Sequence, residues 1–407
     1  MRVERAYKTE LAPNDVERTL LLRHCGAARW AYNWGLQRNI DVHRMNRLPV
    51  AHIKRPTAVD LHRELNLLKK TTVPWMYEVS KCAPQEALRD LDRAFHNFFE
   101  GRSRFPNFKS KKRGLGTFRL TGSIRASEDR IQLPRLGRIR LKEPGYIPTG
   151  RPVRSATVSE RAGRWFVSIA VERELVPPAN VGPACGVDLG VARLATVSDG
   201  EVIENPSAIR RFMRKVTRLQ REVSRKARGS KNRKKARNKF ATVKMREANI
   251  RRDALHKATT LLARSKSVIV IEDLDVRGMA QNHAVARGLA DASFGEFRRQ
   301  LEYKTRWYGS TLVIAPPFYP SSKMCSRCGH VKKQLRLSER VFVCEECGSR
   351  FDRDLNAAVN LLSLAASSAE SENACLRREV AGSGENPSPC PSMRQEANAA
   401  IRFRIGG

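Results

Sequence analysis

Residues 184–199 read ACGVDLGVARLATVSD, and this stretch decides the fold of the second half of the chain. Its two runs, ACGVDLG and VARLATVSD, meet at Gly190, which predicts a strand–turn–strand unit. A later run, SVIVIEDL at residues 267–274, is continuously apolar and ends in acids, as expected of a strand buried on both faces. Asp188 and Glu272 are therefore expected at the ends of two neighbouring strands.

A third acidic segment, DRDLNAAVN at residues 352–360, opens a predicted final helix and contains Asp354. Before it, GEFRRQLEYKTRWYG reads as a helix and STLVIAPPF as another strand. A basic stretch at residues 207–264 has helical periodicity and breaks near Gly229, which predicts a helical hairpin. The order βββ…αβαβ…α is that of a ribonuclease-H-like α/β domain, interrupted here by one helical and one cysteine-rich insertion.

The three acids are candidates for a metal-dependent active site. In a ribonuclease-H-like sheet, Asp188 lies on the first strand, Glu272 ends the adjacent parallel strand, and Asp354 enters from the final helix. Hydrolysis of a phosphodiester by two Mg²⁺ ions about 3.5–4 Å apart needs such clustered carboxylates, and like charges this close call for a cation. We expect the neighbouring acids to be solvated, to cap helices or to support the site; they are Asp352, Asp273 and Asp275.

A cysteine module lies between the second and third acids. Two C-x2-C pairs, Cys325 with Cys328 and Cys344 with Cys347, are separated by 15 residues, the spacing of a four-cysteine zinc ribbon. Four thiolates leave Zn²⁺ no open position, so the metal is expected to be structural. A redox C-x-x-C motif does not account for two pairs, and His330 is expected to be a bystander.

The charge of the chain indicates a polyanionic partner. Its 407 residues contain 77 Lys and Arg against 41 Asp and Glu, a net charge of +36, which repels itself unless an anion such as nucleic acid neutralises it. A solvated basic face is the alternative. The basic residues expected to contact phosphate are Arg225, Arg228, Lys231, Arg233, Lys234, Lys235, Arg237 and, in the cysteine module, Arg327.

The first half of the chain has a different texture. Helical spacing predicts helices at residues 14–37, with Asn14 as N-cap, and at residues 84–99. From residue 116 to 174, short alternating segments separated by turn residues predict a small antiparallel barrel. Residues 367–407 have no periodicity and are expected to be a disordered tail.

Taken together, GVDLGV, IEDL, CSRCG…CEECG and DRDLNAAVN resemble motifs of the TnpB (OrfB) family of transposon-encoded proteins and of the related compact type V CRISPR effectors. The resemblance extends over most of residues 1–365 and includes RAYKTELAPN, GAARWAYNWGL and QLEYKTRWYG. It implies an RNA-guided DNA endonuclease whose guide RNA is encoded at the transposon end and which reads a short motif beside its double-stranded DNA target.

The resemblance also implies roles for particular residues. Asp188, Glu272 and Asp354 match the catalytic positions, with Asp354 preferred to Asp352 because it directly precedes Leu-Asn. Lys81 and Gln85 match the polar positions that read the target-adjacent motif, since Gln suits adenine edges and Lys suits guanine or phosphate. Pro84, between them, departs from the usual helix formers of the family, which puts their presentation in doubt.

The architecture implied is a wedge-type β-barrel with a helical recognition insertion, followed by a RuvC-like nuclease domain with a zinc-ribbon insertion. The expected boundaries are 1–12 with 113–180 for the barrel, 13–112 for the helical module, 181–321 with 352–366 for the nuclease domain, and 322–351 for the ribbon. A monomer in a prokaryotic cytoplasm, associated with the nucleoid, is expected. The chain has no run long and apolar enough to span a membrane and no signal-peptide pattern at its N-terminus.

Two other functions remain open at this point. Some relatives have lost cleavage and act as RNA-guided repressors, although the acidic trio is intact here. A transposase that performs strand transfer itself would have a similar fold and similar acids. The zinc module between the second and third acids, the helical N-terminal region and the basic hairpin argue against the transposase.

Overall fold

The computed structural model describes residues 2–47, 52–336 and 339–365, without the side chains of Arg2 and Arg113. The chain divides into two compact units. The first comprises Met1–Val176 and Arg214–Arg246, and the second Pro177–Met213 and Glu247–Gly407. The tail predicted at residues 367–407 lies outside the described residues.

The helices of the first unit are longer and more numerous than the sequence pattern predicted. Helix α1 spans Asp15–Met45, α2 spans Ala58–Thr71 and α3 spans Cys82–Phe99, with 3₁₀ turns at Pro74–Glu78 and Lys111–Arg113. Asn14 caps α1 as expected, because its side chain accepts from the Glu17 amide while the Glu17 carboxylate accepts from the Asn14 amide.

Helix α1 continues past residue 37 because its buried face continues. Asn39 and Val42 are still buried, and the side chain of Asn39 donates to the carbonyl of Gly35. Helix α2, which the sequence analysis missed, begins with a capping box formed by Thr57 and Asp60.

Two antiparallel sheets complete the first unit. Strands β1 (Arg2–Leu11), β2 (Thr117–Thr121), β6 (Val153–Arg161) and β7 (Arg164–Glu174) form one sheet in the order β1-β7-β6-β2. Strands β3 (Arg125–Ala126), β4 (Arg130–Leu133) and β5 (Gly137–Arg140) form the other in sequence order. A bridge between Leu11 and Leu141 joins the edges of the two sheets, and one apolar core contains side chains from both sheets and from all three helices.

The second unit contains a five-stranded mixed sheet. Its strands are β8 (Cys185–Asp188), β9 (Arg193–Val197), β10 (Val202–Glu204), β11 (Val268–Ile271) and β12 (Thr311–Ile314), in the order β10-β9-β8-β11-β12. The strands β8, β11 and β12 are parallel, and the others pair antiparallel. This order and direction confirm the ribonuclease-H-like arrangement expected from the sequence.

The helices in this part of the described chain are α4 (Ala208–Arg225), α5 (Lys231–Ser265), α6 (Val276–Met279), α7 (His283–Ala292), α8 (Phe294–Tyr308) and a final helix, α9, at residues 353–365. Helices α5, α7 and α8 share an apolar core with one face of the sheet, and α9 packs on the other. Helices α4 and α5 form the predicted hairpin. In β11, Ile269 and Ile271 pack with α5 and α8, whereas Val270 packs with Leu361 of α9, as the alternation of side chains along a strand requires.

The cysteine module contains a two-stranded sheet of β13 (Val341–Val343) and β14 (Arg350–Asp352). Within the described parts of the chain, none of the helices combines the length and apolarity that crossing a bilayer requires.

Candidate functional site

Two carboxylates meet at the carboxyl ends of the central parallel strands. Val187 of β8 pairs with Ile271 of β11, so the residues that follow them, Asp188 and Glu272, stand side by side. Neighbouring strands of a sheet lie about 4.8 Å apart, which places both side chains at one edge of the sheet.

Helix α9 brings the third carboxylate. Asp352 caps this helix, because its Oδ1 accepts from the amides of Asp354 and Leu355 at 3.0 and 3.1 Å. Asp354 therefore lies in the first turn. The helix packs directly on β8 at Gly186, where a Cβ atom would lie 2.0 Å from the carbonyl oxygen of Ala358. The absence of a side chain at Gly186 thus sets how closely α9 approaches the strand that ends in Asp188.

The pKa of Asp188 is raised by burial and by its acidic neighbours. Burial, together with the charges of Glu272 and Asp354, raises the pKa of Asp188 to about 8. Burial also raises the pKa of Glu272, against the hydrogen bond from Ser321 and the charge of Arg353. Like charges raise a pKa when they lie close by, so the charges of Glu272 and Asp354 act on Asp188 as expected of an acidic cluster at this edge of the sheet.

The three carboxylates are less closely grouped than the four cysteines. Among the described residues, the four cysteines are the group whose ligand atoms all lie within 4.8 Å of one another, and the three carboxylates do not meet that limit. Clustered carboxylate oxygens are the hard donors that Mg²⁺ prefers, so the donor set fits this ion.

Contacts that the sequence analysis did not identify hold the site in place. The Ser321 hydroxyl donates to Glu272, and the buried Asn360 side chain donates to the carbonyls of Ser321 and Met324 at 2.8 and 2.6 Å. Asn356 adds a second bond to Met324 at 2.7 Å. The sequence did contain a signal for these contacts, because Asn356 and Asn360 lie four residues apart in a mainly apolar helical segment.

The neighbouring acids have structural partners. Asp352 caps α9 and forms an ion pair with Arg193 at 3.2 Å. Burial acts to raise the pKa of Asp352, but hydrogen bonds from the α9 amides and the charge of Arg193 keep this pKa below its usual value. Asp273 forms an ion pair with Arg298, and Asp275 caps α6. These contacts agree with the expectation that these acids act as caps or supports.

The four cysteines of the module form a compact cluster. Sγ of Cys325 lies 3.8 Å from that of Cys347, and Sγ of Cys328 lies 3.5 Å from that of Cys344; all four are free thiols. Tetrahedral Zn²⁺ with bonds of about 2.3 Å requires sulfur atoms about 3.8 Å apart, so the geometry fits zinc. His330 is not in the cluster.

Most of the predicted phosphate-contacting residues lie on the surface of the helical hairpin. Seven are placed around the α4–α5 turn, and all of these except the half-buried Arg233 are exposed: Arg225, Arg228, Lys231, Lys234, Lys235 and Arg237. Arg233 donates to the Lys226 carbonyl, and Arg237 donates to the Lys112 carbonyl, so these two also have structural bonds. Arg327 is exposed in the cysteine module and donates to Ser349.

Lys81 and Gln85 share the start of α3. Lys81 is exposed in the N-cap position with helical angles, and its carbonyl accepts from the Gln85 amide at 3.4 Å. Pro84 falls in the first turn, where no intrahelical amide is needed, and it does not disturb the helix. Both polar side chains can therefore be presented from one turn.

A family model described as "Probable transposase" (OrfB, IS605) matches residues 156–283, and one described as "Cas12f1-like, TNB domain" matches residues 294–361. A third, described as a helix-turn-helix domain, matches residues 1–47, where the described structure has one strand and one long helix.

Whole-chain relatives show the family. "Putative RNA-guided DNA endonuclease" of Streptomyces pristinaespiralis is 38% identical over 406 residues, covering 98% of each chain. "Putative RNA-guided DNA endonuclease InsQ" of Escherichia coli K12 is 35% identical, over 89% of this chain and 92% of that one. The chain belongs to the TnpB (OrfB) family. The protein in a cryo-EM structure of a Cas12f1–sgRNA–target DNA complex has a TM-score of 0.51 at 14% identity, over 85% of this chain and 82% of that one, so this chain has the compact RuvC-type effector fold.

Proposed function

We propose that this protein is a transposon-encoded, RNA-guided DNA endonuclease that cuts beside a short target-adjacent motif at a single RuvC-like site. The observation that carries the proposal is the convergence of Asp188, Glu272 and Asp354 in a chain whose full-length relatives are named as such endonucleases. A repressor that only binds would have no use for three carboxylates held together against their own repulsion.

Asp188, Glu272 and Asp354 would hold Mg²⁺. The chemistry that this ion supplies when bound is polarisation of the scissile phosphate and activation of water. The chain itself orients the ligands: Ser321 donates to one oxygen of Glu272, and Arg353 lies 3.8 Å from Asp354. The charge of Arg353 lowers the pKa of Asp188 and that of Glu272, so it offsets part of the repulsion within the cluster.

The zinc ribbon is part of the same proposal. Four thiolates of Cys325, Cys328, Cys344 and Cys347 would hold a structural Zn²⁺, and the ribbon follows directly the loop that carries Ser321. Met324, which precedes the first cysteine, accepts bonds from both Asn356 and Asn360. Zinc binding is therefore expected to stabilise the entry to the active-site loop as well as the ribbon.

The domain organisation that goes with this function is the one the family implies. In this proposal, residues 1–12 with 113–180 would form a wedge-type barrel and residues 13–112 a helical recognition module, which together correspond closely to the Met1–Val176 part of the first unit. The nuclease domain comprises residues 181–321 with 352–366 and carries the ribbon at 322–351. Residues 214–246, from the helical hairpin, cluster with the first unit, as an insertion into the nuclease domain would allow.

The basic and polar surfaces of the chain would bind the guide RNA and the target DNA. The exposed cations of the α4–α5 turn would contact the phosphate backbone of the guide RNA or the target DNA. Lys81 and Gln85, presented together at the start of α3, would read the target-adjacent motif, with Gln85 suited to an adenine edge. Base pairing with the guide would then supply the sequence specificity.

A cleavage assay on purified protein tests the function. The chain is purified alone and with RNA transcribed from its transposon end, and each preparation is incubated with Mg²⁺ and a plasmid carrying or lacking a target that matches the guide. Cutting that needs both guide and matching target is expected. Guided binding without cutting would favour the repressor, and strand transfer on transposon ends without RNA would favour the transposase.

A further inference from the structure

The loop that leads from β12 into the active site presents an aromatic ring to solvent. Phe318 is 100% exposed, whereas the next most exposed aromatic ring in the described chain, that of Phe99, is 66% exposed. Burial of a phenylalanine is normally favourable, and at Phe318 the fold leaves this gain available to a binding partner.

The backbone at Phe318 is also unusual. Its φ is +63°, and none of the other four non-glycine residues with positive φ in the described chain is aromatic. The Tyr319 amide donates to the Pro316 carbonyl at 3.2 Å, which closes a four-residue turn with Pro317 and Phe318 in the middle. A turn of this kind requires positive φ at its third residue and favours glycine there, so phenylalanine is a costly choice.

The chain around the turn is rigid and tied to the acids. Pro316, Pro317 and Pro320 restrict the backbone, and the Tyr319 hydroxyl donates to the Asn360 carbonyl at 3.1 Å. Three residues after the ring, Ser321 donates to Glu272. Three peptide steps span at most about 11 Å, so the ring is held within that reach of the residue that supports the site.

We propose that Phe318 is a stacking platform for an unpaired nucleobase of the DNA strand whose phosphate lies at the acidic site. The inference rests on the proposed function, and it adds a residue that positions the substrate. Aromatic rings bind single strands through base stacking, which tolerates any sequence because every base has a π-face. A ring on a proline-rigid turn loses little conformational freedom when a base stacks on it, and a guided nuclease that cuts any target needs this tolerance.

Cleavage by matched variants tests the stacking. Phe318→Gly suits the turn and is expected to keep or raise the melting temperature, yet to lower the single-turnover cleavage rate about five- to hundredfold, the effect of one lost stack. Phe318→Trp should cut at close to the wild-type rate, and Phe318→Leu should resemble the glycine variant. Ala162→Gly, which relieves a φ of +55° in the first unit, is the control and should leave the rate unchanged.

A direct readout uses 2-aminopurine, whose fluorescence falls when the base stacks. Target DNA carrying this base at successive positions around the cut is bound to the guide-loaded Asp188→Ala protein, with Phe318 present or changed to glycine. Quenching at one or two positions that is lost with the ring is expected. The proposal would be overturned if Phe318→Gly or Phe318→Leu cut at the wild-type rate, or if Ala162→Gly lost as much activity as they do. It would also be overturned by a large fall in the melting temperature of Phe318→Gly, or by 2-aminopurine fluorescence that does not change when the ring is removed. Failure of the wild-type protein to cut would refute the proposed function. The fluorescence experiment does not need cutting, so a comparison of quenching with and without the Phe318 ring would still test whether a base stacks on it.

Discussion

Replacement of Gly186 by alanine should separate the acidic trio without touching any of its members. The Cβ atom of alanine would lie 2.0 Å from the Ala358 carbonyl oxygen and 2.5 Å from the Leu362 amide nitrogen, both of them backbone atoms of α9. No flexible side chain can move aside at these contacts, so the helix itself must shift.

The size of the shift follows from contact distances. Ordinary contacts of a Cβ atom begin at 3.4 Å, so the backbone at Ala358 must move by about 1.4 Å, the difference between 3.4 and 2.0 Å. Asp354 lies one turn earlier on the same helix and moves with it. A misplacement of about 1 Å in an active site costs about a hundredfold in rate, and overpacking of a core typically costs about 1–3 kcal/mol in stability.

We therefore expect Gly186→Ala to lower guided cleavage at least about a hundredfold and to lower the melting temperature, measured by plasmid cleavage and thermal unfolding. Gly295→Ala is the matched control, because a Cβ atom there meets nothing within 4 Å, and it should behave as wild type. Zinc content should be unchanged in both variants. Cleavage by Gly186→Ala at the wild-type rate with an unaltered melting temperature would refute the argument that this glycine sets the position of α9.

Three further outcomes are expected. Asp188→Ala should abolish cutting while guided binding, measured by gel shift, stays within about twofold, because the change removes a metal ligand and no phosphate contact; persistent cutting would remove Asp188 from the site. Cys325→Ser combined with Cys344→Ser should lose zinc by elemental analysis and destabilise the ribbon, so a full zinc content would contradict the ribbon assignment. Burial lowers the pKa of Lys304 to about 8, and the negative charge of Glu296 offsets only part of this effect. The Lys304 ammonium group donates to three oxygen atoms of α5. The unfolded chain thus holds a proton between about pH 8 and 10.5 that the folded chain has released, and stability due to Lys304 rises with pH across that window. We therefore compare the free energy of unfolding of the wild type with that of Lys304→Met as the pH is raised through this window. The difference, wild type minus variant, should increase by about 1–3 kcal/mol, and a difference that does not depend on pH would contradict the lowered pKa of Lys304.

Local patterns predicted much of the fold. The continuous apolar run before Glu272 and the strand–turn–strand around Asp188 correctly placed both strands, and the cap at Asn14 correctly placed the start of α1. The cysteine spacing predicted a cluster that the structure contains. Helix α2 was missed, although Thr57 and Asp60 form the capping box that signals its start.

The sequence by itself indicated which residues are candidates for the chemistry, because strand periodicity, capping and ligand spacing are properties of neighbouring residues. Only the tertiary structure decided how those residues are held. Ser321 supports a carboxylate 49 positions away, and Asn360 anchors Ser321 across 39 positions. The need for glycine at residue 186 and the exposure of the Phe318 ring likewise depend on backbone that arrives from elsewhere in the chain, and such long-range proximity leaves no periodic trace in a single sequence.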